Sequence, residues 1–569
     1  MLITKRLRKL VVFATFTMPL ALFAANTSQY AVASANPYAT KAGIQILTSG
    51  GNAFDAAITV ASVLAVTEPY NSGIGGGGFW LFFDAKHQKY QFLDARETAP
   101  AKATQTMFDN NQSAINGSLA AGIPGEVAGL IYLHQHYAQL SLAKDLQPAI
   151  TLAQAGFVVT PYYQKRAAFR LKSLRAFSQT SKIFLENNDI PAIGYLIKQP
   201  KLAKTLQLIA STEGDDFYRG KTAKDMVEAV QSTGGIWTLS DLDNYHVIIR
   251  KPIFIDYKNN QIITAPLPSA GGIALKTMLN LMNQTDFFSL SHIMQVHYMI
   301  EFMRNIYYDR YKYLGDPAFN QIPLKDLLSS QHATQILQRI SPNKATASDT
   351  ISSLDLSMNK EGMHTTHYSI IDAKGNIVSS TLSLNYPFGS GFVAGDTGVL
   401  LNDQMNDFAI GINKTNAYQL LGGEHNLIAP NKRPLSSMTP TIIQSPDKTV
   451  VLGTPGGSKI VTMLMLAVVS ALEGKTATEI VTQPRYHMQF YPDIVTYEAD
   501  TFNNVVLDKL IAMGYLMQKT KAPYGNMQVV IYNKKTHNLT AASDPRGEGI
   551  SEVGQVPTLM RRNIKHNKN

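Results

Sequence analysis

Two short stretches carry residue types that could do covalent chemistry. The first is Gly362-Met363-His364-Thr365-Thr366-His367-Tyr368-Ser369, which follows a long polar segment and opens an apolar run of β character. A threonine hydroxyl is a weak nucleophile without a base. If the bond before Thr365 breaks, its own α-amine becomes that base, with an ordinary pKa of about 7.7–8.0, close to working pH. In an uncut chain, Thr365 and Thr366 are two β-branched residues starting a strand. The second stretch is Gly453-Thr454-Pro455-Gly456-Gly457-Ser458, between a strand-like run and an apolar helix-like run. Backbone N–H groups of a glycine pair at a helix start can face an anion, which is one way to build an oxyanion hole. The same spacing also suits a plain strand-to-helix turn.

Other chemistries find no support. The chain has no cysteine, which excludes disulfides, thiolate catalysis and zinc–thiolate sites. H-E-x-x-H, G-x-S-x-G and a phosphate loop are absent. His364 and His367 fall on opposite faces of a strand, and His134 and His136 do not face each other on a helix. No metal site and no cofactor are expected. Gly73, Gly75 and Gly78 satisfy G-x-G-x-x-G, but a helix precedes them and the strand Phe79–Phe83 follows, the reverse of a dinucleotide site. Arg96 lies just past a second strand, Tyr90 to Leu93. It could grip a carboxylate bidentately, although spacing alone reads it as a surface or ion-pair residue.

The elements that must position these residues fill a chain of 569 residues with 45% hydrophobic and 16% charged content, a globular composition. Residues 1–24 read as a cleaved secretory signal: basic Lys5, Arg6, Arg8 and Lys9, an apolar run from Leu10 to Phe23, then Ala24-Ala25. That run is too short to span a membrane. The formal charge of +10 falls to +6 without the signal, and four more basic residues sit in the tail. The body is nearly balanced, so nucleic-acid binding is not expected.

Helical patterns are expected over Pro37 to Gly51, Ala56 to Thr67, Glu126 to Tyr137, Leu146 to Gly156, His292 to Tyr313 and Ile460 to Leu472. Hairpins are expected from Thr366 to Leu384 and from Thr439 to Gly453. Ser341 to Glu361 reads as an exposed connection. Hairpins in both halves beside buried helices suggest a layered α/β fold.

An ordered series of motifs resembles the gamma-glutamyltranspeptidases. It comprises Thr365-Thr366-His367-Tyr368-Ser369, Asn402-Asp403-Gln404-Met405-Asn406-Asp407-Phe408, Pro430 to Pro440 and Gly453 to Gly457. Outside that half, Gly50 to Ala57, Ser72 to Gly78, Arg96-Glu97, Phe217 to Gly220, Tyr313 to Pro317 and Ser543 to Arg546 also fit, covering nearly the whole chain after the signal. The resemblance implies an N-terminal-nucleophile hydrolase fold, a four-layer αββα sandwich formed jointly by a large subunit, 25–364, and a small subunit, 365–569. The zymogen would cut itself between His364 and Thr365, and the two pieces would remain a heterodimer.

The implied activity is a γ-glutamyl hydrolase and transpeptidase, periplasmic or secreted. It would cleave the γ-glutamyl amide of glutathione and related compounds through a threonyl acyl-enzyme, passing the acyl group to water or an amino acid. Thr365 matches the nucleophile, with Thr366 in support, and Gly456 and Gly457 match the oxyanion hole. Arg96, Ser436 and Ser437 match the groups holding the substrate α-carboxylate. Asn385, Gln404 and Asp407 match those binding the α-amino group, and Tyr418 belongs to a lid-like stretch. Ser383 stands where a threonine is usual, and Gln404 where some members carry glutamate. The lost charge at Gln404 predicts a shift toward acyl groups without a free amine. The alternatives are a glutaryl or cephalosporin-type acylase of the same fold and an uncleaved γ-glutamyl-binding protein.

Overall fold

Period-two alternation decides the architecture. In the strand Thr366–Ile371, Tyr368 and Ile370 belong to one apolar core and Ile371 to another, while His367 and Ser369 share the face of Ile371. Both faces of this strand are therefore buried, as a sheet between two layers requires. The computed structural model describes residues 28–109, 113–348 and 365–556. The expected signal, the tail from 557, and the His364 side of the expected cut lie outside the described residues.

A seven-stranded sheet runs in the order Ile550–Gln555, Gln29–Ser34, Thr366–Ile371, Ile377–Ser383, Gly77–Asp84, Lys89–Ala95, Ile248–Arg250. A six-stranded sheet runs Leu539–Ser543, Gln528–Asn533, Lys448–Gly453, Thr441–Gln444, Asn260–Thr264, Ile253–Tyr257. The sheets face each other: Ser369 Oγ donates to the carbonyl of Gln528 at 3.1 Å, and Ser379 Oγ to that of Leu452 at 3.2 Å.

Helices Pro37–Thr48, Ala53–Thr67 and Glu126–His136 cover the outer face of the first sheet, with Val32, Phe82 and Tyr368 in the shared core, and Leu142–Ala155 packs on Ala53–Thr67 behind them. Helices Gly271–Gln284, His292–Tyr313 and Ile460–Leu472 share the core of the second sheet. The result is the layered αββα sandwich, and both sheets take strands from either side of Thr365.

Several boundaries differ from expectation for local reasons. The second helix starts at Ala53, because Asn52 and Asp55 form a capping box. The helix expected from Leu146 starts at Leu142, capped by Ser141, and carries Pro148 within its first turns. The connection expected from Ser341 is tied down at its start: Ala345 N donates to Met513 O at 2.7 Å and Ser348 N to Asp493 Oδ2 at 2.7 Å. Its remainder, from 349, lies outside the described residues.

Asp372 joins the hairpin to the outer helical layer. Its buried carboxylate accepts from Ala53 N at 2.9 Å, Lys374 N at 2.8 Å, Asn376 N at 2.9 Å and Asn376 Nδ2 at 2.7 Å. Asp372→Ala strands the buried donors of Ala53 and Asn376. It should lower unfolding stability by about 2–4 kcal/mol, read as a lower urea midpoint.

Candidate active site

The pleat places Thr365 and Thr366 on opposite sides of the first sheet. Thr366 pairs with Leu382 in the antiparallel ladder, so Thr365 sits just beyond the paired strand, beside Ser383. The two hydroxyls meet at 3.2 Å, and both residues are buried. They lie on the face turned to the second sheet, with His367, whose ring covers Gly453. Burial pushes the His367 imidazole down to about 3, so it stays neutral. Thr366 instead faces the helical layer, beside the buried Glu68.

Thr365 has φ +141°. A β-branched side chain rarely adopts positive φ, which amounts to local strain of about 1–3 kcal/mol. Ser383 Oγ also accepts from Asn385 N at 2.8 Å, holding the next turn against the threonine.

The glycine turn arrives from the second sheet. After Gly453 the chain passes Gly456, φ +151°, and Gly457, φ +56°, before the helix Ile460–Leu472. An added Cβ at Gly457 would lie 2.5 Å from a Tyr418 ring carbon, so only glycine fits beneath that ring. Tyr418 is buried, and its hydroxyl donates to the carbonyl of Asn385 at 2.9 Å. The stretch around it is held by a bond from Asn413 N to Gly422 O at 3.0 Å.

One cavity gathers these groups. Thr365, Ser383, Asn385, Gly457 and Tyr418 line it, together with Arg96, Gln404, Asp407, Ser436 and Ser437. Gly456 and Thr366, also expected at the site, are not among its lining residues. Gly456 adjoins the lining, and Thr366 is turned away by the pleat.

Arg96 is not a surface residue. It is 1% exposed and pairs with Asp407 through Nη2 and with Glu97 through Nη1 at 3.4 Å, while Nε donates to Pro434 O at 3.3 Å. Glu97 is pushed up to about 7 by burial, offset in part by Arg96. Gln404 Nε2 donates to Asp407 Oδ2 at 3.0 Å, which leaves Gln404 Oε1 buried without a hydrogen-bond partner among the described residues. Leu420, Leu435, Met438, Ser458 and Ile460 line the cavity as well, and so does Arg310, which lies in none of the motifs named above.

Comparison with known proteins identifies the family. A family model described as gamma-glutamyltranspeptidase matches residues 39–554. The chain belongs to the gamma-glutamyltranspeptidase family. It is 38% identical over 528 residues to a glutathione hydrolase proenzyme of Escherichia coli, covering 90% of each chain. It is 37% identical to that of Pseudomonas aeruginosa, covering 95% of this chain and 99% of the other. Among solved structures, the cephalosporin acylase of Bacillus halodurans superposes with a TM-score of 0.82 at 26% identity, over 96% of this chain and 99% of that one. The gamma-glutamyltranspeptidase of Helicobacter pylori gives 0.54 at 34% identity, over 58% of this chain and 96% of that one. The N-terminal-nucleophile hydrolase fold follows from these neighbours and the stacked sheets. Among the described residues no group of His, Asp and Glu that could hold a metal ion gathers.

Glu68 supplies a pH test of this packing. Its carboxyl is pushed from near 4.5 to about 7 by burial at a helix C-terminus, partly offset by Asn71. The folded state then holds a proton that the unfolded state releases, so this contribution to stability falls as pH rises from about 4.5 to 7. Glu68→Gln should gain on the parent across that window, by roughly 3 kcal/mol in all, in urea melts at successive pH values. Parallel stability curves would contradict the assignment.

Proposed function

We propose that this chain is a zymogen that cuts itself between His364 and Thr365 and then works as a γ-glutamyl hydrolase and transpeptidase. The observation that carries the reading is the single cavity. It is lined by Thr365 and Gly457 together with Arg96, Asp407, Gln404 and two serines.

In the first step Thr365 Oγ1 attacks the carbonyl of His364. The acyl group moves from nitrogen to oxygen, and water hydrolyses the ester. The strained φ of Thr365 favours the cut, because that torsion disappears with the bond. The freed α-amine then takes the proton from the same hydroxyl as it attacks the γ-amide of the donor. N–H groups of the Gly456-Gly457 turn stabilise the oxyanion, each good donor being worth about 2.7–4 kcal/mol. The amine of the leaving group departs protonated, and an acyl-enzyme remains for water or an amino acid to resolve. No cofactor enters the scheme.

Arg96, Ser436 and Ser437 receive the α-carboxylate, and Asn385, Gln404 and Asp407 the α-ammonium. The large piece, 25–364, and the small piece, 365–569, stay together because each sheet is shared between them. Export by the signal at 1–24 places the enzyme in the periplasm or outside the cell. No helix among the described residues is long and apolar enough to cross a membrane.

The acylase reading has one observation of its own, the missing charge at Gln404. The free Gln404 Oε1 beside the part-buried Asp407 carboxylate points the other way, since an acceptor pair of this kind suits an ammonium. Comparing a γ-glutamyl anilide with the matching glutaryl anilide separates the two. The expected result is at least a tenfold higher kcat/KM for the γ-glutamyl compound. A glutaryl preference would transfer the site to the acylase reading.

A further inference from the structure

Arg310 is the one wall residue whose charge the scheme above leaves without work. It sits in the last turn of the helix His292–Tyr313, is 7% exposed, and lines the same cavity as Thr365, Ser436 and Ser437. Its side chain makes no hydrogen bond or ion pair to another described residue, and its Nε is buried without a partner. The nearby carboxylates are taken: Asp407 pairs with Arg96, and Asp309 accepts from His332 Nε2 at 2.6 Å.

A buried guanidinium without a counter-charge is expensive to maintain unless something anionic arrives. Here burial holds Arg310 below its ordinary range, with Tyr307 and Asp407 opposing and Arg96 pressing in the same direction as burial. The C-terminal end of its helix offers only a partial negative charge.

We infer that Arg310 is a second guanidinium for the donor's carboxylate, and that it sets the preference for donors carrying one. The inference rests on the γ-glutamyl reading of the same site. Its logic is a division of charge. Arg96 is already committed to Asp407, Glu97 and the Pro434 carbonyl, whereas Arg310 makes no such bond to another described residue. The ammonium of the donor competes for Asp407, and the carboxylate lies between the two guanidinium groups and the Ser436 and Ser437 hydroxyls. A guanidinium matches a carboxylate in planar, paired hydrogen bonds, which a lysine cannot reproduce.

The test crosses the residue with the substrate group. Arg310→Met and Arg310→Lys are assayed, once processed, on a γ-glutamyl anilide and on its α-carboxamide analogue. The expected result is a roughly ten- to hundredfold rise in KM for Arg310→Met on the carboxylate donor, with kcat little changed. On the carboxamide, parent and variant should agree within about threefold. Arg310→Lys should retain an intermediate preference, since it keeps the charge and loses the fork. Should Arg310→Met fail to fold or process, Arg310→Lys decides alone: a carboxylate-over-carboxamide preference reduced at least threefold supports the role. An unchanged preference, or equal losses on both donors, overturns it. A parent enzyme that turns over neither donor would instead sink the γ-glutamyl reading itself, so the two failures are distinct.

Discussion

The antiparallel register between Thr366–Ile371 and Ile377–Ser383 is the constraint on which the rest depends. Leu382 opposite Thr366 brings Ser383 beside Thr365, on the face turned toward the second sheet. A slip of one residue would turn Thr365 toward the helical layer and bring Thr366 into the cavity. The register is locked from both sides. Tyr368 and Ile370 are buried among the outer helices, while His367 packs on Gly453 and its Nδ1 meets Thr381 Oγ1 at 2.9 Å. The neighbouring strands, Gln29–Ser34 and Gly77–Asp84, come from the other side of Thr365. A cut before Thr365 would therefore leave the sheet intact.

The second constraint is charge in a dry space. Arg96, Glu97 and Arg310 are buried beside the part-buried Asp407, where interactions between charges are stronger than in water. The carboxyl of Glu97 is pushed to about 7, so its charge responds to pH near neutrality. The arrangement suits a ligand that carries both an ammonium and a carboxylate, because guanidinium groups and a carboxylate line the same cavity. The neutral Gln404 fits by offering an oxygen beside Asp407, its amide nitrogen being fixed on that carboxylate.

Much of this was legible in the sequence. The hairpin around Lys374-Gly375-Asn376, the apolar helix from Ile460 and the amphipathic helix ending at Tyr313 follow from period and punctuation. The ordered motifs identified most of the cavity wall. Three things were not legible. Spacing alone reads Arg96 as a surface or ion-pair residue; it does form ion pairs, but nothing local shows that its strand ends between two sheets and buries them. Thr366 reads as a partner of Thr365, and only the pleat separates them. Arg310 lies on a helix whose other charged residues serve ordinary purposes, and its approach to Arg96 is made by packing between elements far apart in the chain. The Ser141 cap was a missed local signal, since a serine before an apolar periodic run marks a helix start.

The central claim is that Thr365 becomes an amino terminus. Denaturing electrophoresis of the purified protein, with N-terminal sequencing of every band, tests it most directly. The account predicts two bands, the smaller beginning Thr-Thr-His-Tyr-Ser. A single chain that remains uncut under varied conditions would contradict it, because Thr365 would then have no amine with which to activate its own hydroxyl.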